Sequence, residues 1–166
     1  MPGSYDYYKR EIKEHLVESL DLNTKFLDVG PGYGTYGNLL KPEFTNVYAV
    51  EIWEKYINQF NLKQIYKEVY LGNILDFNFS EYDYLIIGDV LEHIEVDSAK
   101  LLLEKIEIQN KKCLVAVPYL YPQGEHEGNI YETHHQPDLT HEIFLERYPN
   151  MKCFIRNDKY GYYINY

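Results

Sequence analysis

The segment Phe26-Leu27-Asp28-Val29-Gly30-Pro31-Gly32-Tyr33-Gly34-Thr35-Tyr36-Gly37 limits the folds open to this chain more than any other part of it. A short apolar run (Phe26, Leu27, Val29) reads as a buried strand that runs directly into a glycine-dense turn opening a helix. Glycine recurs because the backbone must turn sharply and admit a ligand where a Cβ would collide. The free N–H groups at the start of the following helix then point into that ligand site. An acid, Glu51, closes the next predicted strand about 20 residues further on, the spacing of a nucleotide-binding βαβ unit. A carboxylate in that place can accept from both hydroxyls of a ribose. The pattern points to a nucleoside-containing ligand.

Periodicity supplies the remaining architecture. Residues 5–20 place Tyr8, Ile12, Leu16, Val17 and Leu20 on one face of a helix. A strand over 25–30 leads to a helix over 35–40, halted before Pro42; a strand over 47–50 then delivers Glu51. A helix over 54–60 precedes a strand over 68–71. The apolar strand 83–87 is followed by a helix that starts from an Asp97 cap and carries Ala99, Leu102, Leu103 and Ile106. The strand 112–117 ends at Pro118, and periodicity lapses until a short helix over 139–147. Two last strands, 151–156 and 160–166, flank Asn157-Asp158-Lys159, a hairpin turn. Strands alternating with helices imply a mainly parallel sheet covered on both faces, with the closing hairpin adding an antiparallel strand.

Gly32-x-Gly34-x-x-Gly37 satisfies the dinucleotide GxGxxG pattern, but register points elsewhere. The glycine that closes the first strand is Gly30, so the run reads Asp28-x-Gly30-x-Gly32-x-Gly34. It resembles the first signature of class I S-adenosylmethionine (SAM)-dependent methyltransferases. Asp89-Val90-Leu91-Glu92-His93-Ile94, after the strand 83–87, is similar to the "DVLEH" stretch that follows the fourth strand in many small-molecule members, including quinone and glycan methylating enzymes. Between them, Leu71-Gly72-Asn73-Ile74-Leu75-Asp76-Phe77 is similar to the family's adenine-contacting segment, with Asn73 where the family usually has Asp. A dinucleotide oxidoreductase is the less favoured alternative, because it gives the DVLEH stretch no role.

The resemblance extends over residues 25–166. It implies an α/β, doubly wound, mainly parallel seven-stranded sheet with helices on both faces and a C-terminal antiparallel hairpin, within one domain spanning 1–166. It implies SAM as cofactor and methyl transfer to O, N or C of a small-molecule or glycan-type acceptor. A non-catalytic SAM-binding module acting with a partner is the alternative. By resemblance, Gly30, Gly32 and Gly34 approach the methionine part, and Asp28 orients that loop or the methionine ammonium. Glu51 clamps the ribose, Ile52 packs on adenine, Asn73 and Ile74 bound adenine elsewhere, and Asp89 lines the methionine end. Tyr33 and Tyr36 either offer aromatic faces to the sulfonium or are exposed loop residues.

The acceptor side lies in the unpatterned stretch 119–139, which with His141 holds four of the six histidines. A long loop in a compact domain is usually a binding or lid element. His134, His135 and His126 are the candidate general bases. Alternatively these histidines only bond loop backbone, and Asp138 or Thr140 caps the next helix. No metal is expected, since Glu125, His126, His134 and His135 match no standard zinc spacing. Glu92 reads as structural, while His93 either holds the loop or faces the acceptor. The net charge of −10 disfavours nucleic acid, and no apolar run approaches a membrane span. Cys113 and Cys153 read as buried, reduced thiols, which favours the cytoplasm. With cover limited to one helix and one loop, a second copy or partner chain is expected to complete the acceptor pocket unless that pocket is shallow.

Overall fold

A computed structural model describes residue 3 and residues 5–166. They gather into two compact units, one ending at Ile86 and the other covering Ile87–Tyr166. The first contains α1 (Lys9–Ser19), β1 (Phe26–Val29), α2 (Thr35–Leu40), β2 (Val47–Glu51), α3 (Glu54–Gln59), α4 (Leu62–Ile65) and β3 (Val69–Leu71). β1 runs parallel to β2 from Phe26 opposite Val47 to Val29 opposite Val50, and β2 runs parallel to β3. This register carries the glycine turn to the end of β2, where Gly30 N–H donates to Val50 O at 2.9 Å. Glu51 is the next residue.

Two details of this unit differ from the periodicity. Helix α1 begins at Lys9 rather than near residue 5, because Tyr8 takes a left-handed φ of 57° and ends the helix ahead of it. The helix expected over 54–60 forms as α3, and Asn61, at φ 51°, then starts a further short helix, α4, that periodicity did not mark. Ile12 and Leu16 of α1 are fully buried, as the apolar stripe requires.

β4 (Tyr84–Gly88) begins in the first unit and ends in the second. The second unit continues with α5 (Val96–Ile108), β5 (Lys112–Pro118), α6 (His141–Arg147), β6 (Lys152–Arg156) and β7 (Tyr160–Ile164). β7 pairs antiparallel with both β5 and β6, and the seven strands take the order β3-β2-β1-β4-β5-β7-β6. This is the class I methyltransferase arrangement expected from the sequence, closing hairpin included. Every residue of β1 and of β4 is buried, as in strands covered on both faces. Asn157 makes the hairpin turn, its N–H donating to Tyr160 O and its Oδ1 accepting from Lys159 N–H.

Helix α5 starts one residue ahead of the expected Asp97 cap. Glu95 holds the N-cap position, and Asp97 lies in the first turn, where a negative charge favours the helix dipole. Thr140 caps α6, accepting from Ile143 N–H. One cysteine expectation is overturned: Cys113 is buried in β5, but Cys153 is exposed, because β6 is the outermost strand. Apolar neighbours in sequence do not reveal that a strand lies at an edge. Among the described residues no helix is long and apolar enough to cross a membrane.

Candidate active site

In the first unit, Gly30, Gly32 and Gly34 have φ of 60°, 50° and 79°. That is the left-handed region, where a side chain is strained. A Cβ on Gly34 would also stand 2.5 Å from Ile65 Cδ1. Asp28 is buried beneath this loop, and its carboxylate accepts from the Tyr66 hydroxyl at 2.5 Å. The same hydroxyl accepts from Gly37 N–H at 3.1 Å, so Tyr66 ties β1 to the first turns of α2. Gly37 makes this possible, since a Cβ there would lie 2.4 Å from Tyr66 Cζ. Burial pushes the Asp28 carboxyl up to about 7, with the Tyr66 bond and the Lys9 charge opposing the shift and Glu51 adding to it.

Glu51 is buried at the end of β2, where its Oε1 accepts from Trp53 N–H at 2.8 Å. Ile52 is half-buried and Ile74 buried. Asn73 accepts from Leu75 N–H through Oδ1 at 3.0 Å, forming an Asx turn that fixes the segment after β3. Tyr36 is buried rather than displayed on the loop; Lys9 Nζ donates to its hydroxyl at 2.9 Å and lies 4.2 Å from its ring centre. Its aromatic face therefore already meets a cation. Tyr33 is exposed and packs edge-on against Phe60.

In the second unit, Asp89 follows β4 with φ 54°, and its carboxylate accepts from the Tyr160 hydroxyl at 2.5 Å. A single 3-10 turn, Leu91–His93, comes next. Glu92 is 1% exposed, and neither of its carboxylate oxygens has a hydrogen-bond partner. Burial pushes its carboxyl well above the usual range, and the neighbouring Asp89 charge adds to this. His93 and His134 meet ring edge to face with centres 4.5 Å apart. Burial lowers His93 to about 4, helped by His134, and burial lowers His134 too.

Both rings are held by backbone carbonyls. His93 Nδ1 bonds Thr133 O at 3.2 Å, and His134 Nδ1 bonds Tyr121 O at 2.6 Å. A carbonyl only accepts, so both Nδ1 atoms carry the proton and both Nε2 atoms keep a lone pair. Gln136 fixes the loop against the 3-10 turn: its Nε2 donates to Leu91 O and Ile94 O, and its Oε1 accepts from Tyr148 and Arg147. The amides of His135 and Gln136 donate to Glu92 O.

The three histidines expected as bases are therefore placed differently. His134 is buried beside His93 and Glu92; His135 is half-exposed and pairs with Glu95 at 2.9 Å. His126 belongs to a tight turn, bridged to Asn129 through backbone bonds in both directions. Tyr66, Gln136 and Tyr160 were not legible from sequence. Each acts through a contact distant in the chain, and no local pattern marks it.

Residues 27–107 match the family described as a methyltransferase domain. The matched segment is just under half of the chain. Among solved structures, a SAM-dependent methyltransferase from Clostridium acetobutylicum is similar at 16% identity, covering 98% of this chain and 91% of that one, with a TM-score of 0.72. The SAH-bound magnesium protoporphyrin IX methyltransferase from Synechocystis is similar at 13% identity, covering 95% and 82%, with a TM-score of 0.64. The small RNA methyltransferase HEN1 is similar at 18% identity, covering 99% of this chain and 26% of that one, with a TM-score of 0.65. At such identities the likeness is one of fold. No curated protein matches the chain in sequence.

Proposed function

We propose that residues 1–166 act as one methyltransferase domain that methylates a small-molecule or glycan-type acceptor at O, N or C. The observation that carries the cofactor half is the trio of left-handed glycines, Gly30, Gly32 and Gly34, at the end of β1 where β2 delivers Glu51. These residues fit the cofactor. The loop presents backbone rather than side chains to the methionine part, and Glu51 supplies a carboxylate for the ribose hydroxyls. Asp28 supports the loop from below through Tyr66, which favours an orienting role over direct contact. Ile52 and Ile74 offer apolar surface to adenine. Asn73 has its oxygen engaged with Leu75, so its amide N–H is the group left to meet an acceptor on the adenine edge. Asp89, steadied by Tyr160, is the acid for the methionine end.

SAM supplies a sulfonium methyl group, and the chain's task is then alignment and care of the acceptor's proton. His134 is favoured over His135 and His126 for the acceptor side, because it is buried with a fixed tautomer and an Nε2 lone pair. A small acceptor suits a chain of net charge −10 better than a phosphate backbone does. The cytoplasm is the expected site of action, and a second copy or a partner chain is the expected cover for the acceptor.

Calorimetry with SAM, SAH and NAD, on the wild type and on Glu51→Ala, tests the cofactor reading. Binding of the two sulfur compounds, weakened in the variant and absent for NAD, is expected. An acceptor panel that includes small glycans, phenols and short RNA then tests the acceptor. Turnover confined to RNA would overturn the small-molecule reading, and binding without turnover across the panel would favour the non-catalytic module.

A further inference from the structure

Glu92 poses a problem that methyl transfer alone does not solve. Its carboxylate is 1% exposed, and neither oxygen receives a hydrogen bond. An unpartnered buried carboxylate costs several kcal/mol and is normally paired, bound to a cation or protonated, and a protonated one still leaves its O–H without an acceptor here. Beside it the second unit brings two histidines. One donor atom each from Glu92, His93 and His134 lies within 4.8 Å of the others.

The imidazoles are arranged as metal ligands usually are. Each is oriented by a bond from Nδ1 to a backbone carbonyl, His93 to Thr133 and His134 to Tyr121, which leaves Nε2 as the available lone pair. A single general base needs one such lone pair. Two histidines beside an orphaned carboxylate are more than a proton requires. The support is rigid as well: Gln136 and the Glu92 carbonyl hold the loop bearing His134 against the turn bearing Glu92 and His93. Asp89 and Glu132 are close enough to act on the Glu92 charge, so the surroundings are negative and favour a cation.

We propose that the second unit binds one divalent first-row transition-metal ion, of the zinc, cobalt or manganese kind, through Glu92, His93 and His134. Two imidazole nitrogens and one carboxylate oxygen suit these ions, whereas magnesium and calcium prefer oxygen alone. Three protein ligands leave the ion with open positions, which take water or, if the methyltransferase reading holds, an oxygen of the acceptor. The ion replaces the missing partner of Glu92. In this arrangement His134 serves as a ligand, and the proton to be lost sits on the metal-bound oxygen.

The test reads the metal itself and so stands apart from methyl transfer. Chelator-treated full chain is titrated with Zn2+ by calorimetry and with Co2+ by visible absorption, with Mg2+ as the comparison ion. One equivalent per chain, visible Co2+ bands, and at least roughly tenfold weaker binding in His134→Ala and Glu92→Gln are expected. Because either variant could disturb folding, Mn2+ is also added to the wild type and its imidazole proton signals are followed by NMR. Selective broadening of His93 and His134 ahead of His15, His126 and His141 supports the site. Absence of stoichiometric binding at millimolar ion, or binding that persists in both variants, overturns it. So does broadening centred on His126 or His135.

Discussion

Asp28 offers the most direct test of how the cofactor half is built. Its carboxyl is wholly buried, and its pKa stands near 7 in the folded chain against an ordinary value of 3.8. A raised folded pKa means that the native state holds the proton more tightly than the unfolded one. The stability this contributes is complete below the unfolded value and is lost as pH rises through the folded one. Each pH unit within that window is worth about 1.4 kcal/mol. From about pH 5 to pH 7.5, Asp28 alone therefore removes about 2.5 kcal/mol of stability. Asp28→Asn abolishes the titration but still offers an oxygen to the Tyr66 hydroxyl. Urea unfolding of both proteins across this range, followed by the fluorescence of Trp53, cancels every other titrating group in the difference. Trp53 is the sole tryptophan and lies in the same unit as Asp28. The variant should gain about 2.5 kcal/mol on the wild type as pH rises. A difference constant to within about 0.5 kcal/mol would refute the reasoning and mean that Lys9 and Tyr66 keep Asp28 ionised throughout.

Three further outcomes are expected. Glu51→Ala should weaken SAH binding roughly 30-fold, the equivalent of about 2 kcal/mol for bonds to a charged acceptor, and unchanged affinity by calorimetry would remove Glu51 from the site. Gly37→Ala puts a methyl group 2.4 Å from Tyr66 Cζ and should destabilise the chain by about 1–3 kcal/mol in urea. An unchanged midpoint would show that the ring swings aside freely. Gln136→Leu strips Ile94 O of its side-chain donor, leaves Leu91 O with only the Ile94 amide, and leaves the Tyr148 hydroxyl without its acceptor. It should cost about 2–4 kcal/mol and speed hydrogen exchange at the amides of His135 and Gln136, while unaltered exchange there would argue against the clip.

The cofactor half was legible because it is local. A strand, a glycine turn and a helix in succession place Gly30, Gly32 and Gly34, and the parallel crossover fixes where Glu51 must fall. What supports the loop was not legible: Tyr66 reaches Asp28 across 38 residues, and only the helix break at Asn61 and the bare Cα of Gly37 let it in. On the acceptor side, the sequence supplied several histidines in one loop with nothing to choose among them. The choice rests on their partners, a backbone carbonyl for His134 and a surface carboxylate for His135. His93 meets His134 only because the loop folds back, so the Glu92-His93 pair read as part of a family signature rather than as one side of a cluster. Cys153 was misplaced for a related reason, since alternation along a strand says nothing about how many neighbours the strand has.

The position of β7 bears on how the chain is made. Every member of the Glu92, His93 and His134 cluster, and the loop that carries it, precedes residue 140 in synthesis. Yet one side of β5 finds its partner only in Tyr160–Ile164, where Leu114 meets Ile164 and Pro118 meets Tyr160. A nascent chain, or one cleaved within the hairpin, already contains all three proposed metal ligands while still presenting the apolar Cys113–Val117 run as an open β edge. Such an edge recruits other strands, including those of sister chains on the same message. Loss of the β7 segment is thus a route to aggregation as well as to loss of the Tyr160 hold on Asp89.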